Sequence, residues 1–271
     1  MIIAIKGENF TGKSGFGFGC PPGISWHETD IGGYERSIPK FELLNPNIRG
    51  DIEYNAYPTP QQFQLRDLGL DTSPRLYGIK ELWYEFVRNF ITAIDNSYVN
   101  TIVVDTFSQL YPICCDAYLQ EKQEAQEVNG VLPRDKFYRE QLIQIEYRTV
   151  NQRMHAIFDV VATTKKVLII THHMSDVWGQ VQKDGKITDG VIGRNAKGWH
   201  NCGMAASDLV DYVILMQQGD GKTKYGEGRR NPNKFYSTIE KAGIARSLMG
   251  TVIEDLTYDD LMTRAEMMKG T

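Results

Sequence analysis

Cysteine is scarce in this 271-residue chain: Cys20, Cys114, Cys115 and Cys202 are the only four, and none forms Cys-x-x-Cys. No histidine pair stands at zinc-finger spacing either. A metal site built on sulfur is therefore not expected, and the scattered thiols suit a reducing compartment. Positive charge is not in excess: 30 Lys and Arg against 34 Asp and Glu leave a net charge of −4. That argues against a polycationic nucleic-acid binder while leaving room for local basic patches. No run of 18 uninterrupted apolar residues occurs, so no membrane span is expected. The chain opens directly into a strand-like run, which predicts no signal peptide and a cytoplasmic location. Internal repeats, low-complexity tracts and dividing linkers are missing too, so residues 1–271 read as one domain. With 41% hydrophobic and 24% charged residues, the chain has enough apolar material for an ordinary globular core.

Gly7, Glu8, Asn9, Phe10, Thr11, Gly12, Lys13 and Ser14 match G-x-x-x-x-G-K-[ST] at every specified position. Such a loop turns successive backbone N–H groups inward on an anion, and the following helix adds its N-terminal dipole. Lys13 would reach the β/γ-phosphates, and the Ser14 hydroxyl would hold Mg²⁺. The apolar run of residues 1–5 directly before the loop supplies the strand that this motif requires. Gly15 continues the loop into a helix that is expected to be short. Its interior glycines each cost about 1 kcal/mol relative to alanine, and Pro21 stops it.

Further runs of strand length lie at 101–105, 166–171, 211–216, 235–240 and 251–254. The early ones are continuously apolar, which predicts strands buried on both faces: an α/β fold with a mainly parallel central sheet flanked by helices. Apolar residues at three- and four-residue steps predict helices over 79–94 and 136–162. A polar helix is expected over 115–128, starting after Pro112, and a final one over 259–268. Residues 31–77 carry five prolines and no clean period, and 174–207 are polar and glycine-spotted. Both read as irregular, the first as an insertion and the second as a mobile loop.

Asp105 ends a buried strand, where it would face the Mg²⁺ shell with Ser14. Hydrolysis also needs a group that orients water. Glu28 and Asp30 both follow the run that starts at Ile24, and no spacing rule chooses between them. The strand over 166–171 ends in Thr171, His172 and His173. Adjacent side chains on a strand point to opposite faces, so one histidine at most meets a nucleotide, and His172 is preferred. In the polar stretch, Lys183, Lys186, Arg194 and Lys197 accompany Trp178 and Trp199. Cations that follow a backbone and rings that stack on bases are what single-stranded nucleic acid needs. A second basic cluster, from Lys222 to Lys234, reads as a solvated turn.

This order of parts resembles the RecA-like P-loop ATPases. It is most similar to small single-domain members described as phage nucleotide-binding proteins, which include single-strand annealing ATPases. The likeness spans roughly residues 1–257, with Gly7–Ser14 its one individually specific motif; Asn151–Phe158 resembles a pattern on the family's helix before the 166–171 strand. The resemblance implies ATP and Mg²⁺ as ligands. It implies hydrolysis, a DNA-contacting loop at Met174–Gly203, and a role in recombination, annealing or replication, in a host cytoplasm if the chain is phage-encoded. It also implies a homo-oligomer in which a basic residue reaches the neighbour's phosphate, a place Lys241 would fill. The glycine-rich first helix, the long insertion between Lys13 and Asp105, and a histidine where RecA uses an amide depart from the pattern. A nucleotide or small-molecule kinase, with Arg229 and Arg230 in a lid, and a non-catalytic nucleotide switch are the competing readings.

Overall fold

The computed structural model describes residues 1–70, 74–128, 138–183, 186–196, 208–219, 231 and 233–268. In chain order its elements are β1 (Ile2–Gly7), α1 (Lys13–Phe18), β2 (Ile24–Glu28), α2 (Gly33–Glu42), β3 (Ile52–Ala56), α3 (Gln61–Asp67) and α4 (Ile79–Asp95). There follow β4 (Thr101–Asp105), α5 (Phe107–Val128), α6 (Tyr147–Ala162), β5 (Val167–Lys183), β6 (Lys186–Ala196), β7 (Tyr212–Gln218), β8 (Phe235–Ala242), β9 (Val252–Glu254) and α7 (Tyr258–Met268).

The strands line up as β3-β2-β4-β5-β1-β7-β8-β9. From β3 to β7 every pairing is parallel, and β8 and β9 close the edge antiparallel. Parallel neighbours need covered crossovers, so both faces are packed and the strands are apolar throughout. Alternate residues serve two separate cores. Ile2, Ala4, Ile102, Val104, Leu168 and Ile170 pack on one face with α4, α5 and α6. Ile3, Ile5, Val103 and Ile169 pack on the other with α1, α2 and α7. The expected fold class is what the chain forms.

The short glycine-rich helix α1 has a steric reason. A Cβ at Gly17 would lie 3.0 Å from the Trp26 ring, and one at Gly15 would lie 3.3 Å from Phe41. Glycine lets α1 lie close on the sheet and lets α2 lie close on α1. Phe18 then stacks on Trp26 with ring centroids 4.4 Å apart.

Four expectations are corrected. Residues 31–77 contain α2, β3 and α3. They look aperiodic because α2 buries only Tyr34 and Ile38 and β3 is an edge strand with Ile52 alone fully buried. Residues 174–196 are a regular antiparallel ribbon, since β5 runs on to Lys183 and β6 returns beside it from Lys186 to Ala196. The ribbon leaves the two-sided sheet, so no burial pattern marks it; Trp178, Val191 and Ile192 are exposed. Helix α5 starts at Phe107, upstream of Pro112. A proline inside a helix costs about 3 kcal/mol, and the burial of Phe107, Leu110, Tyr111 and Cys114 outweighs it. Helix α6 begins only at Tyr147, and Ile143, read as part of its stripe, is exposed.

Candidate functional site

At the carboxyl end of β1 the chain meets β7 so closely that a Cβ on Gly7 would sit 2.4 Å from the Met216 carbonyl oxygen. Only glycine fits there. Phe10 (φ 62°) and Gly12 (φ 87°) both adopt the left-handed region, which turns the loop back on itself before α1 begins. Thr11 Oγ1 donates to the Glu8 carbonyl at 2.9 Å. Lys13 Nζ donates to the carbonyls of Gly7 (3.0 Å) and Glu8 (2.6 Å). The loop thus has its inner oxygens satisfied by its own lysine. Burial holds the Lys13 ammonium below the usual lysine range, with Asp105, Glu8 and Asp30 pulling the other way.

Ser14, on the first turn of α1, donates from Oγ to Asp105 Oδ2 at 2.7 Å. The other Asp105 oxygen accepts from Thr171 Oγ1 at 2.5 Å. Three segments far apart in sequence converge on one carboxylate, because β1, β4 and the parallel part of β5 reach the same level of the sheet. Hydroxyl and carboxylate oxygens are the hard donors Mg²⁺ takes from protein, with phosphate and water completing its octahedron. Ser14 and Asp105 therefore fit that ion.

Glu28 pairs in register with Asp105 across β2 and β4 and lies on the same face. It is fully buried. Its Oε1 accepts from the Tyr34 N–H at 2.7 Å, and its Oε2 accepts from the Tyr54 hydroxyl. Asp30 lies two residues on, half-exposed. It takes a hydrogen bond from His173 Nε2 at 3.0 Å, and that bond holds its carboxyl below the usual range.

A cleft of about 650 Å³ opens over these groups, a size typical of small-molecule sites. The loop from Asn9 to Gly15 forms one wall, with Asp30, Asp105, Thr106 and His173 at its end. Arg36 and Lys40 of α2 line it too, and Phe41, Leu44, Met216, Phe235 and Leu256 make the apolar part. Sequence reasoning missed Arg36 and Lys40 because α2 itself was not legible.

His172 is corrected. It is buried on the opposite face of β5, its ring 5.5 Å from that of Phe107, while His173 faces the cleft. The parity rule applies as expected, but the level of Asp105 selects the odd-numbered residues. Ser108 Oγ accepts from the His173 N–H at 3.0 Å and so fixes β5 where its parallel part ends. Lys241 pairs with Val213, which in turn pairs with Ala4; it lies down the sheet from Gly7, away from its own chain's loop. Arg194 is bonded to Glu8 of the phosphate loop and to Asp176 at 2.9 Å. The side chains of Lys183 and Lys186 lie outside what the structure describes, as do Lys197, Trp199, and Lys222, Lys224, Arg229 and Arg230 of the second cluster. Lys234 is paired with Asp255 at 2.5 Å.

No family model matches the chain, and no curated protein matches it. Among solved structures it is similar to an ATPase from the type III secretion system of pathogenic bacteria. The identity is 12% and the TM-score 0.43, over 98% of this chain and 61% of that one. The chain thus spans about three fifths of that protein's length. No described helix is long and apolar enough to cross a membrane.

Proposed function

We propose that the chain binds a nucleoside triphosphate with Mg²⁺ and hydrolyses it, with ATP as the expected nucleotide. One observation carries this reading: Ser14 on the phosphate loop and Asp105 on β4 are joined at 2.7 Å at the floor of a cleft that Lys13 also lines. The loop amides cradle the phosphates. Lys13 exchanges its carbonyl partners for β- and γ-phosphate oxygens. Ser14 and Asp105 hold the ion, which when bound neutralises charge on the transferring phosphoryl group.

Asp30 is the carboxylate that meets water, because it lines the cleft while Glu28 is enclosed and already takes one donor on each oxygen. Glu28 acts as a positioning residue that fixes the first turn of α2. Lys13→Ala is expected to abolish hydrolysis with the circular dichroism spectrum unchanged; unaltered turnover would overturn the site. Asp30→Asn is expected to lower kcat more than Glu28→Gln. The reverse order would move the water-activating role to Glu28.

Single-stranded DNA is the proposed partner of the β5–β6 ribbon. Trp178 is 67% exposed, and Arg194 on the same ribbon touches the phosphate loop, so an occupant of the ribbon would bear directly on the nucleotide. This supports an ATPase of recombination, annealing or replication, the phage-type role that the resemblance implies. DNA should raise the ATPase rate, and its binding should weaken steeply with salt. A rate indifferent to DNA at low salt would favour a nucleotide switch without a nucleic-acid partner.

A further inference from the structure

Two cations of α2 stand at the cleft, and the Arg36 charge helps to hold the Asp30 carboxyl below its usual range. Arg36 and Lys40 are one turn apart, so they share a face, and both line the cleft together with the phosphate loop. Both are solvent-exposed, and among the described residues neither forms an ion pair. The carboxylates around α2 have closer partners than Arg36 and Lys40. Glu35 and Glu42 hold Arg49 at 3.1 and 2.5 Å, and Asp30 holds His173. Arg49, Arg75, Arg139, Arg153 and Arg194 have carboxylate partners; of the described arginines without an ion pair, Arg36 is the one that lines the cleft.

The placement of the pair is fixed by packing. Phe41 of α2 rests on Gly15 of α1 at 3.3 Å from a would-be Cβ and on Phe18 with centroids 5.0 Å apart. At the other end of the helix, the Arg36 guanidinium folds back over Gly32, with Nη1 2.8 Å from where a Cβ would stand. The next residue, Gly33, lies against the Glu28 and Asp105 carboxylates. Arg36 therefore stands at the acidic end of the cleft, where the terminal phosphate would lie, and Lys40 stands one turn nearer its apolar end.

We propose that α2 is a phosphate clamp supplied in cis, with Arg36 reading the terminal phosphate of a nucleoside triphosphate and Lys40 the inner ones. The inference rests on the nucleotide reading above and deepens it. A planar guanidinium can give two parallel N–H bonds to a phosphate, which an ammonium cannot. Discrimination between tri- and diphosphate therefore falls on Arg36. This clamp acts within one chain, whereas Lys241 would act on a neighbour.

The test is equilibrium binding of a non-hydrolysable ATP analogue and of ADP, each with Mg²⁺, to the full chain. The proteins compared are wild type, Arg36→Ala, Arg36→Gln, Arg36→Lys and Lys40→Ala. Removing Arg36 is expected to weaken the triphosphate by about tenfold or more, the scale of a charge-assisted hydrogen bond, and ADP by less than about threefold. Arg36→Lys should fall between, and Lys40→Ala should weaken both ligands alike. Arg36→Gln keeps a long helix-compatible side chain, so it reads the effect if the alanine variant unfolds. Equal losses for ATP analogue and ADP, or none, with Arg36 replaced would overturn the clamp while leaving the nucleotide site standing. Wild type that binds neither ligand would overturn both.

Discussion

A methyl group added at Gly33 would stand 3.1 Å from Glu28 Oε1 and 3.5 Å from Asp105 Oδ2. That space is the gap between two carboxylates that have to keep their places. Overpacking costs about 1–3 kcal/mol, and here it would push on Glu28, the register neighbour of Asp105, the proposed ligand of the ion. Gly33→Ala is thus expected to slow ATP hydrolysis by about tenfold and to raise the Mg²⁺ concentration needed for half-maximal rate, with a Tm lower by a few degrees. Equal Mg²⁺ dependence in both proteins would show that the two carboxylates tolerate the shift.

His27 gives a pH prediction at the same scale. It sits in the core with Nδ1 2.8 Å from the Tyr57 hydroxyl and Nε2 3.1 Å from Ser25 Oγ. Burial pushes its pKa down to about 3, below the ordinary value of about 6.5. Above pH 6.5 neither state holds the proton. As pH falls from there towards 3, the unfolded chain takes up a proton that the native state refuses, so stability is lost at about 1.4 kcal/mol per unit. Denaturant midpoints between pH 6.5 and 5 should therefore reveal a loss of about 2 kcal/mol that His27→Asn removes. The same slope in the variant would assign the loss to other histidines.

At the scale of elements, the ribbon and α2 are the parts whose roles differ most from their appearance in the sequence. The ribbon is held by its own backbone ladder and reaches the phosphate loop through Arg194 and Glu8. Among the described residues, none of 174–196 belongs to either of the two apolar clusters. Replacing residues 177–193 with a short Gly-Ser turn should therefore leave folding and nucleotide affinity in place and abolish any DNA stimulation of the ATPase. Stimulation that persists would put the DNA contact elsewhere. Strand β8 (Phe235–Ala242), which comes soon after Arg229 and Arg230 in sequence, bears on the kinase alternative, since a phosphate-closing lid usually returns into helix.

At the scale of the whole molecule, the sheet places its chemistry at one end. The parallel strands β2, β4 and β1 deliver their carboxyl ends to the cleft, as β5 does the end of its parallel part at Thr171–His173, and the direction of the order around β1 reverses there, which is where α/β folds bind ligands. Lys241 lies away from that end, so any contact it makes with phosphate has to be with another copy. Mixing inactive Lys241→Ala with inactive Lys13→Ala is expected to restore hydrolysis, because each mixed interface can combine an intact loop with an intact lysine. Failure at every ratio would remove Lys241 from the reaction.

The phosphate loop, the strand-end Asp105 and the alternation of apolar strands with amphipathic helices were legible in the sequence because each is a local property. Gly7–Ser14 is a backbone shape encoded in consecutive residues, and burial on both faces leaves a continuous apolar run. The partner of Asp105, the choice of His173 over His172, the enclosure of Glu28 and the cation wall of α2 were decided only by tertiary structure. They depend on strand register and on how closely α1 and α2 approach the sheet. A shift of one residue in register turns every side chain to the other face, and nothing within a single strand specifies which residue of its neighbour it will meet.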